Sequence, residues 1–230
     1  MLINGFQKLT LLDYPEHTAC TIFTGGCNYR CPFCQNASLV IDMAHNPVIP
    51  EKEIFDFLEK RKKILDGVCI TGGEPLLQPD LEAFILKIKQ LGYFVKLDTN
   101  GSIPDKLEAL LKSNLIDYVA MDIKNSPEKY AETTGTANFD LECVNKSIDL
   151  LMRGATESEF RTTVAKELHT ETDFISIGKW IKGANKYFLQ QYVLSDNILG
   201  KPLTPYGKKE MEYFALLLKK HVPNTFVRGI

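Results

Sequence analysis

A strand pattern is followed by a helix pattern six times along this chain of 230 residues. Such alternation favours a parallel sheet with crossover helices. Six units are fewer than the eight of a closed barrel, so we predict an α/β fold, a partial (β/α)6 TIM-like barrel that is laterally open. A doubly wound open sheet is the alternative, because sequence alone does not set strand order. The predicted strands are 18–24, 67–71, 93–97, 117–121, 159–164 and 187–193, with a short closing strand at 225–227.

Composition narrows the class of protein. The length suits one α/β unit, and we expect residues 1–230 to form a single domain. The net charge of −2 makes nucleic acid an unfavoured partner. No apolar run approaches the roughly 18 residues that cross a bilayer, which predicts no membrane association. Residues 1–14 lack the features of a signal peptide, so we expect a cytoplasmic protein whose six cysteines are reduced or metal-bound.

Three cysteines form the strongest local motif. Cys27, Cys31 and Cys34 have the spacing C-x3-C-x2-C in one loop after the first predicted strand. Thiolates are soft ligands that favour iron–sulfur clusters or zinc. Three ligands on a four-iron cluster leave one iron open to a substrate's amino and carboxylate groups. We therefore predict a [4Fe–4S] cluster with one open iron.

Zinc is the competing interpretation of these cysteines. A structural zinc site normally has four protein ligands, and the nearest downstream histidine, His45, lies eleven residues beyond Cys34. The other three cysteines fall inside strand or helix patterns, where a free cysteine is commonly a small buried hydrophobic residue. They provide no second cluster motif; they are Cys20, Cys69 and Cys143.

Further motifs identify a family. Gly72-Gly73-Glu74-Pro75 after the second predicted strand, together with the cysteine spacing, resembles the radical S-adenosylmethionine (SAM) superfamily. The likeness covers most of the chain. Within that superfamily the chain resembles the activating proteins of anaerobic ribonucleoside-triphosphate reductase and the pyruvate formate-lyase activating enzymes. The supporting segments are 5–8, 12–15, 23–27, 98–101 and 121–124.

The resemblance implies a function. An enzyme of this family uses a [4Fe–4S] cluster and SAM, and cleaves SAM reductively to methionine and a 5′-deoxyadenosyl radical. In the activating enzymes this radical removes a hydrogen atom from a glycine of a partner protein, the glycyl radical enzyme. The electron donor expected for such an enzyme is a flavodoxin or a ferredoxin.

The resemblance also assigns roles to residues that follow predicted strands. Gly72 and Gly73 lack a Cβ and allow close approach of a ligand, and this segment receives the methionyl amino group. Glu74 either orients its loop or contacts the ligand. The remaining candidates carry charges or hydroxyls that suit SAM. Asp98 and Thr99 are expected to bind the ribose or the ammonium group, and Lys124 the methionyl carboxylate, with Asp122 holding Lys124 or a cation. Arg161, which alternates in phase with Thr163, is expected to contact the nucleoside or a substrate backbone.

One departure from the family bears on the substrate. Pyruvate formate-lyase activating enzymes have a ligand-contacting histidine after the sixth strand, where this chain has Gln190 and Gln191. Two other functions therefore stay open. One is a radical enzyme acting on a small molecule or nucleobase precursor, similar to 7-carboxy-7-deazaguanine synthase. The other is a non-catalytic metal-binding module.

Overall fold

The computed structural model describes residues 1–42, 45–136, 139–154, 156–195 and 197–230. Eight strands form one sheet whose spatial order is the order of the chain. The first strand is antiparallel to the second, and every later neighbour is parallel. The strands are β1 (Ile3–Thr10), β2 (Ala19–Thr24), β3 (Gly67–Gly72), β4 (Phe94–Thr99), β5 (Tyr118–Asp122), β6 (Glu157–Val164), β7 (Tyr187–Gln191) and β8 (Thr225–Arg228).

Each strand from β2 to β7 is followed by at least one helix, which confirms the six predicted β/α units. The helices are α1 (Ala37–Ile41), α2 (Glu51–Arg61), α3 (Leu81–Gln90), α4 (Pro104–Lys112), α5 (Tyr130–Thr134), α6 (Leu141–Met152), α7 (Glu171–Trp180) and α8 (Lys208–Leu218). In the part of the chain that the structure describes, no helix has the length and apolar character that crossing a bilayer requires.

The prediction of an open partial barrel is confirmed. Strand order follows the chain without reversal, so the doubly wound alternative is wrong. The predicted closing strand exists as β8, but it does not close the barrel. Among the described strands, β1 and β8 are the two edges of the sheet and do not pair with each other. The barrel is therefore open along the side of β8.

The two faces of the sheet have opposite chemistry. Side chains alternate along a strand, so neighbours in sequence point to opposite faces. In β4, Val95 and Leu97 are fully buried against the helices, whereas Lys96 and Asp98 face the barrel interior. The helices supply the matching apolar stripes; α3, for example, buries Leu81, Phe84, Ile85 and Ile88. The hydrophobic core thus lies outside the sheet, and the barrel interior is polar.

The hairpin formed by β1 and β2 closes the lower end of the barrel, where the parallel strands begin. Strand β1 was not predicted. Asp13 lies in the loop after β1. Its carbonyl accepts from Lys96 Nζ, and its Oδ2 accepts from Thr21 Oγ1 at 2.6 Å. The rings of Tyr14 and Tyr118 lie 6.0 Å apart in the same layer, and both are buried. These contacts fill the interior beneath the polar side chains.

The end of β3 packs directly on the loop that follows β2. A Cβ on Gly73 would lie 1.9 Å from the carbonyl oxygen of Gly26. The backbone N–H of Gly73 donates to Thr24 at 2.9 Å, and the N–H of Glu74 donates to Gly26 at 2.7 Å. Glycine is required at position 73 because backbone, which cannot move aside, occupies the place of a side chain. This contact fixes the start of the cysteine loop against β3.

We predict that Gly73→Ala destabilises the protein by about 1–3 kcal/mol or more, the usual cost of overpacking a well-filled site. The free energy of unfolding, measured by chemical denaturation of the metal-free protein, checks this. Gly207→Ala is the control, because its backbone φ is −75° and the nearest atom to its added Cβ is the flexible Glu210 carboxylate. Equal losses in the two variants would contradict the close contact at position 73.

Candidate functional site

The three cysteines of the motif lie on one loop at the upper end of the barrel, beyond the end of β2. Cys31 is buried, and Cys27 and Cys34 are partly exposed. The backbone N–H of Cys34 donates to the carbonyl of Cys31 at 3.1 Å, and the N–H of Tyr29 donates to Cys27 Sγ at 3.4 Å. Amide hydrogen bonds to sulfur are one of the means by which proteins tune iron–sulfur clusters.

Burial affects the protonation of these thiols. It raises the pKa of Cys31 to about 12, although the nearby Lys124 ammonium acts in the opposite direction. It also raises the pKa of Cys27 above the ordinary value. Metal ligands must be deprotonated, so binding of iron at these thiols releases protons.

A single cavity brings the cysteine loop together with the ends of β3 to β6. The empty space between its walls, counting the open solvent at its mouth, is about 860 Å³. Every residue predicted for the site except Glu74 lines it. The lining residues are Cys27, Tyr29, Cys31, Phe33, Cys34, Gln35, Asn36, Val40, Thr71, Gly72, Gly73, Asp98, Thr99, Asn100, Asp122, Lys124, Arg161 and Thr163.

Four charged side chains form a connected cluster on one wall of this cavity. Arg161 Nε is 2.7 Å from Asp122 Oδ1, and the Arg161 terminal nitrogen is 3.0 Å from Asp98 Oδ2. Lys124 Nζ is 2.8 Å from Asp122 Oδ2. Asp98 and Arg161 come from strands that are not neighbours. Ala120 stands opposite Asp98 on the intervening β5, and its small side chain leaves room for the guanidinium to reach across.

Asp122 and Lys124 keep their charges. Burial would raise the pKa of Asp122, but the Arg161 guanidinium and the Lys124 ammonium hold it well below its ordinary value. Burial would likewise lower the pKa of Lys124, and the Asp122 carboxylate raises it instead. Asp98 Oδ1 is buried and has no hydrogen bond, and the Lys96 ammonium lies 3.4 Å from it. A buried carboxylate oxygen without a hydrogen bond, beside a cavity, fits a ligand that donates a hydroxyl or ammonium proton.

Glu74 lies behind the cavity wall, where its side chain holds the loop after β3. Its side chain is fully buried. Oε1 accepts from the Leu76 N–H at 3.0 Å and from the Thr99 hydroxyl at 2.9 Å, and Oε2 accepts from the Asn100 N–H at 2.7 Å. The carboxylate therefore joins the ends of β3 and β4. Thr99 lines the cavity, but its hydroxyl donates to Glu74 and also accepts from the Gly101 N–H.

Sequence reasoning missed two asparagines that connect the cavity walls. Asn100 Nδ2 donates to Asn28 Oδ1 at 3.0 Å and lies 3.9 Å from Cys27 Sγ. Asn36 Nδ2 donates to the Gly72 carbonyl at 3.2 Å. Asn100-Gly101 belongs to a segment that supports the family resemblance and is also a turn signal, but neither marks Asn100 as a site residue, and Asn36 has no signal at all. Both side chains hold the cysteine loop against the strand ends.

For His169 a surface or helix-end position is the default expectation. It directly precedes the N-cap of α7, so it lies at a helix end, but it is fully buried. Its Nδ1 accepts from the Ala165 N–H at 3.4 Å, so Nε2 carries the proton and donates to the Lys124 carbonyl at 2.9 Å. Burial lowers the pKa of His169, which favours this neutral form. The imidazole thus fixes the backbone that carries Lys124.

Gln190 and Gln191 are not among the residues that line the cavity. Gln191 Nε2 donates to the Tyr206 carbonyl at 2.5 Å. Gln190 pairs in register with Thr163 on one side and Arg228 on the other. The cavity is instead bordered on this side by Gln35, whose Nε2 donates to the Val193 carbonyl at 2.7 Å.

The donor set fits an iron–sulfur cluster. Three thiols of one loop face the same cavity as the charged cluster. Within the described ranges, no three His, Cys, Asp or Glu side chains converge as ligands of a single metal ion would. A four-iron cluster does not need such convergence, because each thiolate binds a different iron atom.

Comparisons with known proteins agree with this chemistry. The sequence profile of the radical SAM superfamily matches residues 21–166. A protein of Methanocaldococcus jannaschii, provisionally named a glycyl-radical enzyme activating enzyme, is 34% identical over all of this chain and 96% of its own length. The pyruvate formate-lyase-activating enzyme of Clostridium pasteurianum is 33% identical over 64% of this chain and 63% of its own.

Solved structures share the fold. SuiB of Streptococcus suis bound to S-adenosylmethionine superposes with a TM-score of 0.70 over 89% of this chain and 48% of SuiB, at 16% identity. A domain of the pyruvate-formate lyase-activating enzyme of Bacteroides vulgatus gives a TM-score of 0.58 over 71% of this chain and 99% of the domain, also at 16% identity. The chain thus spans about half the length of SuiB.

We predict that the stabilising effect of Glu74 depends on pH. Burial raises its pKa from 4.5 to about 7, against the opposing effect of its three hydrogen-bond donors. The folded protein therefore binds a proton more tightly than the unfolded chain. The tighter proton binding adds roughly 3 kcal/mol to the free energy of unfolding for a shift of this size. This stabilisation is fully present below pH 4.5 and is lost as pH rises to about 7.

Chemical denaturation of the native protein and of Glu74→Gln at pH 5 and pH 8 measures this effect. The glutamine amide faces the Asn100 N–H with a donor, so the variant is less stable at both pH values. The deficit should be larger at pH 5. Glu82→Gln, at an exposed position of α3, is the control and should show no such dependence. A deficit that grows with pH would contradict the raised pKa.

Proposed function

The chain belongs to the radical SAM superfamily, and on that basis we propose that it installs a glycyl radical on a partner protein. It is a radical SAM enzyme, and its cofactors are a [4Fe–4S] cluster and SAM. We further propose that the partner is an anaerobic ribonucleoside-triphosphate reductase. We treat residues 1–230 as one radical SAM domain.

One observation carries the proposal. Three thiols of a single loop line the same cavity as an ion-paired cluster in which one buried carboxylate oxygen has no hydrogen bond. The thiols suit a cluster with one open iron, and the charged wall suits a zwitterionic ligand such as the methionyl part of SAM. When bound, the cluster and SAM supply a 5′-deoxyadenosyl radical, which removes a hydrogen atom from the glycine Cα.

Each side chain of the cavity then has a defined task. Cys27, Cys31 and Cys34 hold the cluster. Lys124 binds the methionyl carboxylate, for which the pairing with Asp122 keeps its ammonium charged and oriented. Asp98 Oδ1 accepts from a ribose hydroxyl or from the ammonium group. Arg161 lies between the Asp98 and Asp122 carboxylates and keeps both in place.

The backbone at Gly72 and Gly73 has a second task in this proposal. It lines the cavity next to the cysteines and offers main-chain groups to the methionyl ammonium. Gly73 itself is required by the contact with the cysteine loop described above. Glu74 stabilises this segment from behind and does not contact the ligand.

A protein partner is favoured over a small substrate by two features. The relatives from Methanocaldococcus jannaschii and Clostridium pasteurianum carry names of activating enzymes. The barrel is also open along β8, which gives an extended segment of another chain access to the interior.

The reaction needs one electron from outside the chain. We propose a flavodoxin or a ferredoxin as its donor, because both deliver single electrons at low potential. We also propose a cytoplasmic location. All six cysteines are free thiols, as expected where thiols stay reduced.

Anaerobic reconstitution with iron and sulfide, followed by reduction and addition of SAM, tests the proposal. We expect 5′-deoxyadenosine by chromatography and, with the anaerobic ribonucleoside-triphosphate reductase of the same organism, a glycyl radical by electron paramagnetic resonance. Cys27→Ala, Cys31→Ala and Cys34→Ala should each lose both. Cys143→Ala is the matched control, because that partly exposed cysteine lies outside the cavity and should retain iron and activity.

Three outcomes would contradict the proposal. Bound zinc without iron or sulfide would support a structural metal site. Cleavage of SAM that requires only an added small molecule would indicate a small-molecule radical enzyme. A glycyl radical formed equally well by the Cys31→Ala variant would exclude the assigned ligands.

We predict that Lys124→Met weakens SAM binding by about 10- to 100-fold, since a hydrogen bond to a charged group contributes about 1.5–3 kcal/mol. Calorimetric titration of the reconstituted protein with SAM measures the affinity, and iron analysis verifies that the cluster is retained. Lys112→Met, which removes an exposed lysine of α4, is the control. Unchanged affinity in Lys124→Met would remove this lysine from the SAM site.

A further inference from the structure

A row of side chains crosses the inner face of the sheet from the charged cluster to the open edge. The register pairs Asp122 with Arg161, Arg161 with Phe188, and Phe188 with Phe226. Phe226 alternates with Thr225, which is buried on the opposite face, so Phe226 points into the barrel. The row therefore begins with the SAM-binding charges on β5 and ends with two phenyl rings on β7 and β8.

The exposed ring of Phe226 and the partly buried ring of Phe188 form one apolar surface, here called the aromatic ledge. Their centroids are 5.4 Å apart, and their planes are inclined by 27°. Phe226 is 48% exposed, although it faces the interior of the barrel. An apolar surface inside a polar barrel needs an explanation, because the surrounding inner positions carry charges or hydroxyls.

The ledge is held in place from one side by an ion pair. The guanidinium of Arg228 lies 3.4 Å from the centre of the Phe188 ring. Its two terminal nitrogens are 2.7 and 3.0 Å from the carboxylate of Glu159, which is buried and also accepts from the Tyr118 hydroxyl at 2.8 Å. A bidentate pair of this kind fixes the direction of the arginine, and with it the position of the rings.

Next to the ledge, β8 has a free backbone edge. It pairs with β7 on one side, and no described strand lies on its other side. Alternate N–H and C=O groups along such an edge can pair with an added extended chain. The ledge and this edge adjoin each other, so one extended segment reaches both.

We propose that the aromatic ledge and the free edge of β8 bind the extended, glycine-containing segment of the partner protein. This rests on the glycyl-radical function proposed above. The segment adds as a strand beside β8, and an apolar side chain near its glycine packs on Phe188 and Phe226. The row of paired residues then leads from the ledge to the Arg161 cluster, where the radical chemistry takes place.

The test measures activation of the anaerobic ribonucleoside-triphosphate reductase of the same organism by Phe226→Ala holoenzyme. The KM for the reductase should rise about tenfold. Each activation rate is normalised by dividing it by the rate at which the same preparation forms 5′-deoxyadenosine without the reductase. Phe94→Ala is the matched control: Phe94 is 47% exposed, but it lies at the beginning of β4, remote from the ledge. Phe226→Leu, which retains an apolar contact, should restore most of the loss.

A second measurement needs no variant. Hydrogen exchange of the native holoenzyme, with and without the reductase, should show slower exchange of the backbone amides in β8 when the reductase is bound. Suppose that the native enzyme does form the glycyl radical. Unchanged amide exchange in β8, or equal KM values for Phe226→Ala and Phe94→Ala, would then show that the aromatic ledge does not bind the partner. Absence of that radical with the native enzyme would overturn the proposed function, and the ledge with it.

Discussion

The contact between Gly73 and the carbonyl of Gly26 is the constraint on which the rest of the site depends. Backbone meets backbone there, and the Glu74 N–H donates to the same carbonyl at 2.7 Å. The side chain of Glu74 then joins this segment to the end of β4. Three strand ends are thereby fixed to the loop that carries Cys27, and the cavity forms between them.

Much of this fold was predictable because its signals are local. Strands with β-branched residues, helices with apolar stripes and a C-x3-C-x2-C loop each appear within short stretches of sequence. Strand β1 was not predictable in the same way. Its pairing with β2 has irregularities between Ile3 and Gly5 and between Gln7 and Thr10, which break the alternation of apolar and polar residues that marks a strand.

The site was predictable as a set of residues but not as a set of contacts. Asp98, Lys124 and Arg161 stood out because they follow or end predicted strands. Their connection depends on register and on the small side chain of Ala120, which no local pattern reports. The burial of His169 and its bond to the Lys124 carbonyl likewise follow from tertiary packing.

The hairpin at the lower end of the barrel makes the interior a cup and not a tube. Lys96, Asp13, Tyr14 and Tyr118 fill the layer where a tube would have its second opening. A ligand can therefore enter and leave only by the upper rim or by the open side along β8. A chain that occupies the open side leaves the upper rim as the remaining route, so a hairpin far from the cysteines limits how spent ligands are exchanged for fresh ones.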